Sequence, residues 1–120
     1  MTIPATRSFI ANNRTYQPPA KPIVVICVDG CADEYLDTTM AHDRMPAVKK
    51  MSLQGYRGMV RGALPSFTNV NNSSIVTGVS PAVHGISGNF FYDAEKDQEV
   101  MMNSSDYLRC ETILAAAAST

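Results

Sequence analysis

The sequence predicts an α/β fold with a parallel or mixed sheet, and three observations carry that expectation. Residues 24–31, VVICVDGC, form an apolar, β-branched run that halts on Asp29 and Gly30, the pattern of a buried strand ending at a turn. Stretches of strand and helix character then alternate along the chain, which is the order of a sheet layered with helices. The chain closes on CETILAAAAST, residues 110–120, whose alanines and leucine are strong helix formers.

Each element has its own signal. Residues 1–22 carry Pro4, Pro18, Pro19 and Pro22 with Asn12 and Asn13 between them, and read as an N-terminal arm in extended conformation. A strand is expected at 23–29, followed by a turn or short helix through CADEYLD. In MPAVKKMSLQ, residues 45–54, Met45, Val48 and Met51 recur at near-helical spacing. Pro46 suits the first turn of that helix and Gly55 its stop. YRGMVRGAL, residues 56–64, returns to a strand-like pattern. SFTNVNNSSIVTG reads as a loop entering a helix, with Ser66 or Thr68 near the cap and Gly78 closing it. NFFYDAEKDQEVMM reads as two short strands around a charged turn. Only two or three strands and a hairpin result, a thin layer for a doubly covered fold. The expectation is therefore the first part of something larger.

Composition narrows the function. With 120 residues, 45% of them apolar and 18% charged, the chain suffices for one small globular domain. A net charge of −1 offers no electrostatic basis for binding nucleic acid or an anionic membrane. No apolar run approaches the roughly 18 residues of a membrane span. The first 22 residues hold no continuous hydrophobic segment, so no secretory signal is expected. Cys27, Cys31 and Cys110 are odd in number and lack C-x-x-C spacing; free thiols and a cytoplasmic location follow as expectations.

Three places offer chemistry, each beside a plainer alternative. Asp29 at a strand tip suits a metal ligand or a ribose acceptor, because ligands bind beyond the carboxyl ends of strands; it equally suits a cap of the next helix. Thr68 suits a nucleophile whose helix N-terminus favours an anion, or an ordinary N-cap. His84, in SPAVHGISGN, is read as a hydrogen-bonded structural histidine rather than a ligand. His42, beside Asp43, makes no ligand set and is expected to be exposed. Asn69, Asn71, Asn72, Ser73 and Ser74 form either a polar helix start or a face lining a polar pocket. The glycines of GISG lack the G-x-G-x-x-G pattern of a dinucleotide site.

Taken in order, VDG, PSFTNVNNSSIVTGVSP and HGISGNFFYD resemble the alkaline phosphatase superfamily in its nucleotide pyrophosphatase/phosphodiesterase-like branch. Within that branch FTNVNNSSIVTG is most similar to the phosphonoacetate hydrolases, whereas the phosphodiesterases carry Pro-Asn-His after the nucleophilic Thr-Phe. The resemblance covers residues 22–115. It implies part of an alkaline-phosphatase-like sandwich, a central mostly parallel sheet covered by helices, with residues 23–120 the N-terminal part of its catalytic domain.

The resemblance also implies roles. Asp29 would be a zinc ligand and Thr68 the nucleophile held at the same Zn²⁺, one of two in a complete site. Asn89 and the Thr68 backbone amide would bind a non-bridging oxygen of the phosphorus group. The implied reaction is hydrolysis of the carbon–phosphorus bond of phosphonoacetate to acetate and phosphate through a phosphothreonine. The implied partner is a small phosphonate, with no nucleic acid and no membrane, and the resemblance allows a homodimer. The family's remaining ligands lie downstream, and this chain has only His42 and His84. These 120 residues alone are therefore expected to bind zinc weakly and to be inactive. Two other readings stand beside this one: a phosphodiesterase or phosphomonoesterase of the superfamily, and a non-catalytic α/β module in which Asp29 and Thr68 are caps.

Overall fold

Short helices and two antiparallel hairpins build the computed structural model, which describes residues 7–120. The chain divides into two units, Met1–Val25 with Gly62–Thr120 and Ile26–Arg61. The start of the arm, including Pro4, lies outside the described residues.

In the first unit, β1 (Phe9–Ala11) and β2 (Arg14–Tyr16) pair antiparallel, with Phe9 opposite Tyr16. Their rings stack at 5.4 Å. Asn12 and Asn13 form the turn at φ 50° and 61°, a conformation asparagine tolerates better than most residues. Part of the expected arm is thus a hairpin, and it is anchored. The Asn12 amide donates to the Thr77 carbonyl at 2.9 Å and to the Glu111 carbonyl at 2.7 Å. Those carbonyls lie at the end of α3 (Thr68–Thr77) and just ahead of α5 (Ile113–Ala118).

Helix α3 ends where its sequence predicted, on Gly78 at φ 69°, with the Gly78 amide donating to the Ser74 carbonyl. The positive φ favours glycine there, and a side chain at Gly78 would also have to displace the Tyr16 hydroxyl. The cap is a correction: Phe67 takes the N-cap position, and Thr68 is the first helical residue. The short helix α4 (Pro81–His84) follows, with Pro81 in its first turn. The charged segment forms the expected hairpin, β3 (Phe90–Asp93) paired antiparallel to β4 (Gln98–Met101). Phe91 meets Tyr107, in a 3₁₀ turn at Ser105–Tyr107, edge to face at 5.4 Å.

Small apolar side chains fill the core: Ala11, Val70, Ile86 and Ala116 are buried, together with Thr77 and His84. His84 is fully buried and hydrogen-bonded at both ring nitrogens. Nδ1 faces the Ile86 N–H at 3.1 Å and must therefore accept. Nε2 then carries the proton and donates to Ser74 Oγ at 2.9 Å, while Ser74 Oγ donates to the Val70 carbonyl at 3.0 Å. The ring is a neutral tautomer joining α3 to α4, in line with the structural role read for it.

The second unit holds α1 (Asp33–Ala41) and α2 (Pro46–Gln54). The latter has the predicted Pro46 start and Gly55 end. Arg57 donates to Asp33 Oδ1 and, at 2.7 Å, to Asp37 Oδ1, tying the segment after α2 to the first turns of α1. His42 is exposed, as expected, with Nδ1 2.8 Å from the Thr38 carbonyl.

The two strands expected at 23–29 and 56–64 are not formed among the described residues. Among the described residues neither pairs with another strand, and the sheets are the two hairpins alone. Val24, Val25, Ile26 and Val28 are 64–79% exposed. The β-branched pattern supplies propensity, but a strand exists only when a partner satisfies its backbone. The central parallel sheet is accordingly not formed by these residues.

Two outcomes follow. Asn12→Ala should lower unfolding stability by about 1–3 kcal/mol, because two carbonyls lose their donor, as read from urea denaturation. His84 is held neutral, burial having pushed its pKa below the ordinary 6.5. The unfolded chain takes up that proton first, so stability is full above about pH 6.5 and falls as pH drops through it toward the folded value. Urea midpoints from about pH 8 to about pH 5 should show this slope, and His84→Gln should flatten it.

Candidate functional site

The start of α3 supplies the chemistry-bearing residues of the first unit. Phe67 precedes the helix with an extended backbone, φ −102° and ψ 156°, and has no capping side-chain hydrogen bond. The first-turn N–H groups of a helix lack intrahelical partners, so they must bond elsewhere. Asn69, the second helical residue, donates its N–H to Asn89 Oδ1 at 3.1 Å. Asn89, just before β3, is therefore the cap of a helix 20 residues away.

Two further bonds close a ring around that contact. The Asn69 side chain donates from Nδ2 to the Met102 carbonyl at 2.7 Å. The Met102 N–H donates to the Asn89 carbonyl at 2.8 Å. Thr68 is exposed at the head of this turn, and Asn69 and Asn89 are half-buried. The structure thus brings the Thr68 turn and Asn89 together.

Helix α3 has no acidic or basic residue in its first or last turn. The field at its N-terminus is therefore that of its own peptide dipoles, positive in sign and favourable to an anion. Asn71 and Ser74 serve internal ties. Asn71 Oδ1 accepts from the Ala63 N–H at 2.7 Å, and its Nδ2 donates to the Phe67 carbonyl at 3.0 Å. Ser74 holds His84, and the Ser73 carbonyl accepts from Thr77 Oγ1 at 2.6 Å.

Asp29 belongs to the second unit, where it is exposed and followed by Gly30 at φ 70°. Nothing lies within 4 Å of a Cβ added at Gly30, so the requirement for glycine there is one of backbone conformation alone.

Asp29 and Thr68 are oxygen donors of the kind zinc accepts, but they make up at most half of the usual four ligands. Among the described residues no group of three His, Cys, Asp or Glu is placed to hold a metal. Both nitrogens of His84 are already engaged. No chemical step through zinc can be derived from these residues. Among the described residues, too, no helix is long and apolar enough to cross a membrane.

The role of Asn69 was the part missed in the sequence. It appeared only as one of several polar residues, and its partners are 20 and 33 positions away.

Comparison with known proteins places this geometry in a family. Crystal structures of phosphonoacetate hydrolase from Sinorhizobium meliloti 1021 superpose with TM-scores of 0.79 (phosphonoformate complex, 44% identity) and 0.80 (phosphonoacetate complex, 43% identity). Each covers 95% of this chain and 28% of the solved one. Venom phosphodiesterase from Naja atra is 33% identical over 71% of this chain and 10% of its own length. Alkaline phosphatase PafA from Elizabethkingia meningoseptica is 31% identical over 74% of this chain and 17% of its own length. The chain thus spans a minor part of each of these relatives. The model of the type I phosphodiesterase/nucleotide pyrophosphatase family matches residues 23–119. With well over half of the sequence inside that match, the chain belongs to the type I phosphodiesterase/nucleotide pyrophosphatase family, within the alkaline phosphatase superfamily.

Proposed function

We propose that the complete polypeptide hydrolyses the carbon–phosphorus bond of phosphonoacetate, giving acetate and phosphate. The observation that carries this reading is the 44% identity, across 95% of the chain, to a phosphonoacetate hydrolase of known structure. Thr68 is the nucleophile. Its Oγ bonds to phosphorus as the carbon–phosphorus bond breaks, and the departing electron pair on carbon takes up a proton to give acetate. Water then cleaves the phosphothreonine, releasing phosphate and restoring the hydroxyl.

The Asn89 side-chain amide and the Thr68 N–H bind a non-bridging oxygen, where a positive helix terminus and neutral donors meet negative charge. Asp29 and Thr68 serve as zinc ligands on the strength of the motif resemblance. Zinc, when bound, supplies Lewis acidity that makes a hydroxyl nucleophilic at neutral pH. In the same reading, residues 23–29 and 56–64 are strands of an alkaline-phosphatase-like sheet. Among the described residues no disulfide joins Cys27, Cys31 or Cys110, which suits a cytoplasmic setting.

A second reading, phosphodiester hydrolysis, is favoured by the family description and by the venom phosphodiesterase. Its identity to this chain is 33%, against 44% for the first. One assay separates them. The complete polypeptide should release phosphate from phosphonoacetate faster than nitrophenol from bis(4-nitrophenyl) phosphate, and the reverse order would favour the diesterase. Thr68→Ala should cut turnover on the order of 10³-fold or more; wild-type turnover in that variant would exclude Thr68 as the nucleophile.

A further inference from the structure

We propose that Asn69 is a positioning residue for Asn89, fixing which half of the Asn89 amide is presented to the phosphonate; this rests on the reading of Thr68 and Asn89 given above. A backbone N–H can only donate, so the atom of Asn89 that faces the Asn69 amide at 3.1 Å must be the carbonyl oxygen. With Oδ1 so engaged, the half of the amide left for a ligand is the Nδ2 donor. An anion needs a donor, and a flipped amide would offer it an acceptor.

The orientation is held from three sides. Asn69 N–H holds Asn89 Oδ1, Asn69 Nδ2 holds the Met102 carbonyl, and Met102 N–H holds the Asn89 backbone carbonyl. Asn69 supplies two of the three bonds, one from backbone and one from side chain. The chain entering β3 cannot shift relative to the first turn of α3 without breaking one of them. The Asn69 side chain therefore acts on the reaction through Asn89 and touches no reacting atom.

The side-chain bond can be removed without removing bulk. Asn69→Asp keeps the size but sets a carboxylate oxygen against the Met102 carbonyl, acceptor against acceptor. Asn69→Ala removes the donor without adding charge, and serves should the aspartate variant fail to fold. In the complete polypeptide either variant should lower kcat/KM for phosphonoacetate by about 10–100-fold, the usual cost of losing a group that orients a functional one.

A spectroscopic readout separates positioning from simple stability. With asparagine ¹⁵N-labelled, the Asn89 NH₂ pair, identified by its loss in Asn89→Asp, should be dispersed and protected from water exchange in the wild type. In the Asn69 variants it should collapse toward averaged shifts. Asn89→Asp keeps the acceptor that caps α3 but loses the donor. It should stay folded with phosphate release reduced by about 100-fold, as for loss of a preorganised donor to developing charge.

The outcomes divide cleanly. A rapidly exchanging, averaged Asn89 NH₂ pair in the wild type overturns the proposal, as do wild-type rates in folded Asn69 variants while Thr68→Ala is inactive. Full activity in Thr68→Ala overturns the catalytic reading itself, and the positioning role with it.

Discussion

A helix that begins without a capping side chain of its own leaves N–H donors that must be satisfied from elsewhere, and the rest of this structure turns on how α3 meets that constraint. Phe67 caps nothing, so the Asn69 amide takes its acceptor from Asn89. Unmet, a buried donor costs on the order of 1–3 kcal/mol, which makes the long-range bond more than incidental. Satisfying it brings the entry of the β3–β4 hairpin to the head of α3. The exposed Thr68 and the polar end of Asn89 share one neighbourhood for that reason.

The same economy runs through the first unit. Its core side chains are mostly small, and apolar burial is non-directional. Orientation is set instead by polar ties of defined geometry. The buried imidazole of His84 joins α4 to the middle of α3 through Ser74. Asn12 joins the N-terminal hairpin to the end of α3 and the approach to α5. Helix α3 is thereby held near its start, middle and end by three side chains distant in sequence. A rigid base of this kind suits the nucleophile proposed at Thr68. The half-buried Asn69, Asn71 and Ser74 of FTNVNNSS, read as either a polar helix start or the lining of a pocket, serve as such attachments.

Local chemistry made much of this legible in advance. Pro46 and Gly55 bracket α2, Gly78 terminates α3, and a charged turn separates two alternating strands at 90–101. Each is decided within a few residues, by a fixed φ, a left-handed stop or a tight reversal. The order of VDG, FTNVNNSSIVTG and HGISGN was likewise sufficient to reach the family that the comparisons support. His84 was read correctly as structural because a lone histidine among glycines offers no ligand set.

What the amino-acid order by itself determined is therefore helices α2, α3 and α5, the charged hairpin and the family. Only the tertiary structure decided that residues 23–29 and 56–64 join no sheet among the described residues, that the arm folds back on Asn12, and that Asn69 points the amide of Asn89. The physical reason is common to all three. A strand, an anchor and a hydrogen-bonded ring are relations between segments, and their partners lie tens of residues away. Propensity and spacing describe one segment at a time; which donor meets which acceptor is settled when the chain closes on itself.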